Sequence, residues 1–286
     1  MVNKDEYITA VFIRLDDDCF AVTRVIEKLS TDNVGVRGVT SVDDKLFVLL
    51  LRDVKQVAVY SVDNYQLLHH LSLPGLNPDG RNDLTSCVRH KCIYMSDGHN
   101  RRILRYDSAA GVTSQWEIPN AAPKGLSVTP SCNLLVTCHL PNKLVELSAD
   151  SGQCVREIAL QSDIVQPWQG IQLTTGQYVV CHGNWESLHR VCLVDGDGKV
   201  TRDYGGQCGF DVDHLKMPSH LAVDKESRFI FVADCLNDRV MLLSPTFEFV
   251  RYTRQGSSRP YRLHIDNATR RLYVGQSYGD VTVIQL

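Results

Sequence analysis

Pro218-Ser219-His220-Leu221-Ala222-Val223-Asp224, then Phe229-Ile230-Phe231-Val232-Ala233-Asp234, then Asn237-Asp238-Arg239-Val240-Met241-Leu242-Leu243 read as three short strands joined by polar turns. The runs are short and rich in β-branched and aromatic residues, which suits a pleated, half-buried surface better than a helix with apolar positions every three or four residues. The same phrase returns along the chain. Its first strand is anchored at Gly38, Asp83, Gly125, Gly170, His220 and Arg262, its second ends at Leu50, Asp97, His139, His182, Asp234 and Gln276, and successive anchors lie 42 to 50 residues apart. Turn signals such as Asp150-Ser151-Gly152 and Asp195-Gly196-Asp197-Gly198 punctuate the copies. That period, with several strands per copy, predicts one four-stranded propeller blade per repeat.

Six such copies account for the 286 residues, so the fold class is all-β: a single six-bladed β-propeller of four-stranded antiparallel blades spanning residues 1–286. The last copy stops at Leu286 after three strands. Its missing outer strand is expected from residues 20–29, which closes the ring and removes exposed sheet edges. Residues 1–19, including the alternating segment Tyr7 to Leu15, are then an extra strand or a packed arm.

Composition narrows the function classes. With 43% hydrophobic and 22% charged residues the chain is a folded globular protein, and a net charge of -3 supplies no global field for phosphates or anionic lipid. The longest apolar run, Leu46 to Leu51, is far short of the ~20 residues that span a bilayer, and the polar start Asn3-Lys4-Asp5-Glu6 does not read as a signal peptide. A cytoplasmic monomer is expected. The ten cysteines read mostly as buried free thiols, with Cys87–Cys92 and Cys181–Cys192 as candidate bridges. Arginines cluster at Arg101, Arg102 and Arg105 and again at Arg251, Arg254, Arg259, Arg262, Arg270 and Arg271. Asp107, Asp266 and Asp280 interrupt them, which favours a solvated charged face over a nucleic-acid surface.

The fifth copy, Tyr204-Gly205-Gly206-Gln207-Cys208-Gly209 running into Leu215-Lys216-Met217-Pro218 and ending at Asn237-Asp238-Arg239-Val240, resembles an NHL repeat, the unit of a family of six-bladed propellers. Ile93-Tyr94-Met95-Ser96-Asp97 with Asn100-Arg101-Arg102-Ile103, and Pro123-Lys124-Gly125-Leu126 with Asn142-Lys143-Leu144, resemble it too; the first, fourth and sixth copies depart from it. The resemblance implies a module that binds protein or RNA at a rim. Similar six-bladed folds also include metal-dependent lyases and hydrolases with a site at the channel mouth, so fold alone leaves binding and catalysis both open.

Equivalent repeat positions form rings about a propeller axis, which turns the alignment into a candidate site. As an enzyme, a lyase or hydrolase, the chain would use His139 or His182 as general base, Asp97 or Asp234 as orienting carboxylate and Arg262 as anion or oxyanion partner. Asp83, His220, Gln276, Trp168 and Trp185 are candidate ligand contacts, and His139, His182, His220 and Asp234 form a candidate set for a divalent metal. Gly38, Gly125 and Gly170 would leave room for a small ligand. Against this, Asp97 with Asn100 and Asp234 with Asn237 have the spacing of loop-ordering hydrogen bonds. The chain reads as a lone propeller without an effector domain, no GxSxG or HExxH motif is present, and recognition of a protein or small ligand at the rim is the favoured function.

Overall fold

The computed structural model describes residues 24–29, 31, 34–50, 56–73, 76, 82–184, 188–254 and 259–286. Residues 1–23 and Trp185 lie outside them, so the arm, the first part of the closing segment and one aromatic candidate have no structural account here. The described residues form six four-stranded antiparallel sheets, five of them built from consecutive strands. The sixth is completed from the other end of the chain: Arg24–Leu29 pairs antiparallel with Gly279–Gln285, Arg24 opposite Gln285 and Leu29 opposite Val281. Among the described residues no helix is long and apolar enough to cross a membrane.

The innermost strands are Val36–Val42, Leu84–Cys87, Pro123–Val128, Pro167–Gln172, Pro218–Val223 and Pro260–Asp266, and each touches the innermost strand of the next blade, the last returning to the first. Second strands are nearly all apolar and buried, as in Leu134–His139 and Ile230–Asp234. Their side chains alternate between the two faces of the sheet and fill the seams between blades. Outer strands such as Leu67–Ser72 and Val112–Glu117 are mostly exposed.

Five of the innermost strands carry a one-residue bulge at their start, at Arg37, Lys124, Trp168, Ser219 and Tyr261. A bulge re-aims side chains and increases local twist, and here it turns the start of each strand toward the axis. The bulges also reset the register of the sequence alignment. The residue after each bulge is Gly38, Gly125, Gln169, His220 or Arg262, so Gln169 and not Gly170 occupies the ring in blade 4. At the second-strand end, Cys138 is opposite Pro123 as His182, Asp234 and Gln276 are opposite Pro167, Pro218 and Pro260; His139 falls one residue beyond.

The cysteines in the described residues are free thiols. Cys181 and Cys192 pack into different seam clusters and therefore face opposite sides of blade 4, which rules out that bridge. Cys87 and Cys92 stand opposite one another but are unlinked.

Deleting residues 1–29 removes the outer strand of the last blade and exposes the edge of Gly279–Gln285. Such a truncation is expected to lose the single cooperative melt of the full chain, because each blade is stabilised mainly by its neighbours. A truncated protein that melts in one transition at the native temperature would contradict closure by this strand.

Candidate functional site

The free edge of an innermost strand has no strand to pair with, so its backbone groups must find other partners at the axis. A layer of four side chains, Asp83, Gln169, His220 and Arg262, supplies many of them, and these residues are 0%, 1%, 6% and 2% exposed. Asp83 Oδ2 accepts the Leu126 amide at 2.8 Å, and the Gln169 Nε2 donates to the Leu126 carbonyl at 2.7 Å. The Leu263 amide donates to His220 Nδ1 at 3.3 Å. An amide can only donate, so the His220 proton sits on Nε2, which reaches Asp83 Oδ2 at 3.2 Å. That bond joins blade 2 to blade 5, diametrically opposed in the ring. Arg262 donates to the carbonyls of Arg37, Tyr261 and Asn82 at 2.9, 3.0 and 3.0 Å and lies 3.3 Å from Asp83 Oδ1. The channel is therefore plugged.

Burial pushes the Asp83 carboxyl up, but His220, Arg262 and the Leu126 amide outweigh it and hold the group below its ordinary value. The glycines that were expected to leave ligand space are filled instead. A Cβ on Gly125 would sit 2.0 Å from Gln169 Oε1, one on Gly38 2.4 Å from Leu84 Cβ, and one on Gly170 2.8 Å from Leu144 Cδ2.

The second-strand ends serve their own blades. Asp97 accepts from Asn100 Nδ2 at 2.8 Å and Arg102 Nε at 3.1 Å; Asp234 accepts from the Lys216 amide at 2.6 Å and from Asn237 Nδ2 and Arg239 Nε, both at 2.7 Å. Burial raises Asp234 even so. His182 holds the same slot, with Nε2 accepting from Arg190 Nε at 3.2 Å while Arg190 also binds Asp163 and Asp203 at 2.7 and 2.8 Å. Burial, then the Arg190 charge, lowers His182 to about 4. In each case the slot residue faces an arginine across the strand pair, Asp97 opposite Arg102, His182 opposite Arg190 and Asp234 opposite Arg239. These are blade anchors. In blade 3 Cys138 stands opposite Lys143 and its thiol is pushed up to about 12 by burial, as is Cys181, so neither is a ready nucleophile. His139 Nδ1 binds the Ala122 carbonyl at 3.2 Å, and Gln276 Nε2 donates to Thr282 Oγ1 at 3.0 Å.

The candidate metal set does not converge. Among the described residues the one group of three or more donors within 4.8 Å of one another is Asp211, Asp213 and His214, in a partly exposed loop. His220 and Asp234 are held in separate hydrogen-bond networks, and His139 and His182 lie on different blades.

At the mouth where the innermost strands begin, the bulge positions assemble a second layer that the sequence reading missed apart from Trp168. Lys124 Nζ lies 3.0 Å from the Trp168 ring centre, Trp168 meets Tyr261 edge-on at 6.3 Å, and the Arg37 guanidinium lies 4.8 Å over the other side of the group, on the Tyr261 ring. Trp168 Nε1 donates to the Gly183 carbonyl at 3.0 Å. Arg262 also stacks on Tyr261, at 4.2 Å. Burial lowers Arg37, with Tyr261 pulling up and Arg262 pushing further down, and its Nε has no hydrogen-bond partner among the described residues. Each of Arg37, Lys124, Trp168 and Tyr261 sits immediately before the ring residue of its blade, a signal that becomes visible once the bulge is known.

Comparison with known proteins gives likeness at one level. No family model and no curated protein matches the chain. Solved structures do. A catalytically inactive variant of virginiamycin B lyase from Staphylococcus aureus, solved with quinupristin, superposes with a TM-score of 0.64 at 11% identity, covering 91% of this chain and 99% of that one. The selenomethionine form of that lyase gives 0.62 at 12% identity, covering 91% and 98%, and a streptogramin B lyase structure gives 0.64 at 11%, covering 90% and 97%. The likeness is one of fold. It bears out the six-bladed propeller and leaves the NHL resemblance resting on the motifs quoted above.

Replacing Asp83 by Asn removes one partner of a buried charged network and is expected to cost about 3–5 kcal/mol at neutral pH. A carboxylate with a lowered folded-state value contributes stability above its unfolded value of about 3.9, and loses it as pH falls through the folded value. The gap in melting temperature between native and Asp83→Asn proteins should thus be constant from about pH 6 to 8 and narrow below about pH 4. A gap independent of pH down to about 2 would show that Asp83 is not ionised in the plug.

Proposed function

We propose that this propeller is a recognition module that takes an anionic ligand, a small acid or the acidic group of a partner protein, at the mouth formed by the starts of the innermost strands. One observation carries the reading: the Arg37 guanidinium is partly buried beside a second guanidinium, that of Arg262, and both stack on the Tyr261 ring. Like charges brought together at reduced solvation favour an anion, and charge-assisted bonds formed there are stronger than in bulk water. Lys124 on the neighbouring arc adds a third cation. Trp168 and Tyr261 supply flat apolar walls between the cations, the arrangement by which a site fixes the body of a ligand while a few polar groups fix its charge.

The alternative, a lyase or hydrolase, receives its support from the fold shared with virginiamycin B lyase and streptogramin B lyase. The hydrogen bonds of four of its five proposed residues favour binding instead. A general base must be within reach of substrate, whereas His182 is fully buried and bonded to Arg190, and Asp97 and Asp234 order their own loops. Arg262 directs its donors at backbone carbonyls.

Titration with citrate and with inorganic pyrophosphate, followed at the Trp168 indole N–H by NMR, tests the proposal. A saturable shift is expected, weakened at least about tenfold by Arg37→Ala, equivalent to roughly 1.4 kcal/mol, and weakened further by added salt. No saturable shift with either anion, or equal affinity in the Arg37→Ala protein, would contradict it.

A further inference from the structure

Beyond the plug, toward the ends of the innermost strands, the channel opens into a funnel of about 250 Å³. Gln169 and His220 form its floor, Thr85, Ile171, Ala222 and His264 stand on its walls, and Lys225 is at its opening. The chemistry of the funnel turns on His264. The Ser41 amide, which can only donate, points at His264 Nε2 at 3.0 Å, and the Ser41 hydroxyl reaches the same nitrogen at 2.8 Å. Nε2 is therefore the acceptor, and the proton of the neutral ring sits on Nδ1. Burial lowers the imidazole to about 4; Asp266 pulls up, and His220 and Lys225 push further down, so the ring is neutral at physiological pH.

Stacking on Tyr273, with ring centres 6.0 Å apart and planes 24° apart, fixes the plane of that ring. Among the described residues no group accepts the Nδ1 proton, yet Nδ1 is not one of the sealed, unsatisfied polar atoms of the interior. It is a donor open to the funnel. The Thr85 hydroxyl and the exposed Lys225 ammonium likewise have no side-chain partner among the described residues. Asp266, the one carboxylate on the lining, turns Oδ1 to the amides of Ala268 and Thr269 at 2.9 and 3.4 Å.

We propose that the funnel is a second binding site, for a small monocarboxylic acid with a compact apolar body, whose carboxylate accepts from His264 Nδ1–H and faces Lys225. Ile171 and Ala222 cover the apolar part. The volume lies below the ~300–1,000 Å³ usual for drug-sized ligands, which limits the body to about the size of one ring or a short branched chain. A single charge matches one ammonium beside one carboxylate better than a dianion does. The plug separates this site from the opposite mouth, so it stands independently of the anion site proposed there.

The experiment titrates benzoate and 4-methylpentanoate into the full chain labelled with ¹⁵N-histidine and methyl-labelled threonine, with benzamide as the uncharged control. The expected result is a saturable shift at His264 Nδ1 and at the Thr85 methyl, weakened at least about fivefold in Lys225→Ala and for benzamide, and unchanged in Arg37→Ala. In His264→Phe the Thr85 methyl should no longer respond. Lys225 is exposed, so its variant keeps the test valid if His264→Phe does not fold. The proposal is overturned by the absence of a saturable shift up to about 20 mM acid, by equal affinity for benzamide, or by equal affinity in Lys225→Ala. It is also overturned if the shifts appear at Trp168 and vanish in Arg37→Ala, which would place the acid at the other mouth.

Discussion

Every four-stranded blade keeps two unpaired edges, an outer one on exposed strands and an inner one whose N–H and C=O groups face the axis, and it is the buried inner edge that must be satisfied from within. Backbone groups left without partners inside a protein cost about as much as a lost hydrogen bond each. The axial side chains of this molecule are best understood as the answer to that constraint. Asp83 and Gln169 hold the amide and the carbonyl of Leu126, His220 and His264 accept the amides of Leu263 and Ser41, and Arg262 gathers three carbonyls from three blades. Ser86 and Ser127 do the same for the carbonyls of Ser41 and Gly170.

From this follow both the closure of the channel and the character of its two ends. Because the caps meet across the axis, the His220–Asp83 bond ties opposite blades, and Arg262 closes on the same carboxylate. Asp83, His220 and Arg262 thereby direct their hydrogen bonds and charges at the backbone and at one another. At one end of the plug the Arg37 guanidinium lies on its aromatic layer, and at the other the His264 Nδ1–H faces the funnel. The virginiamycin B lyase structures share the fold at 11–12% identity, and a shared fold does not fix a function.

The fold was legible because strand periodicity and the 42–50 residue repeat are encoded locally, and the three-stranded final copy announced its partner at the other terminus. The site was legible only in part. Repeat position groups Asp83, His220 and Arg262, which share one axial layer, but the hydrogen bonds each makes depend on which blade's backbone its side chain meets. The bulges account for the errors of register. One inserted residue moved Gln169 into the ring in place of Gly170 and put Cys138, not His139, in the anchor slot. His264 was missed because it lies two residues beyond the ring residue of its strand, where a sequence carries no sign that a neighbouring blade's amide will fix its tautomer.

Native-state hydrogen exchange of three backbone amides tests the capped inner edge most directly. The Ser41, Leu126 and Leu263 N–H groups lie on strand edges with no neighbouring strand, and each donates to a side chain of another blade. If those side chains seal the axis, the three amides exchange only through global unfolding, as slowly as amides in the buried second strands. Exchange at the rate of open-edge or loop amides would contradict the account.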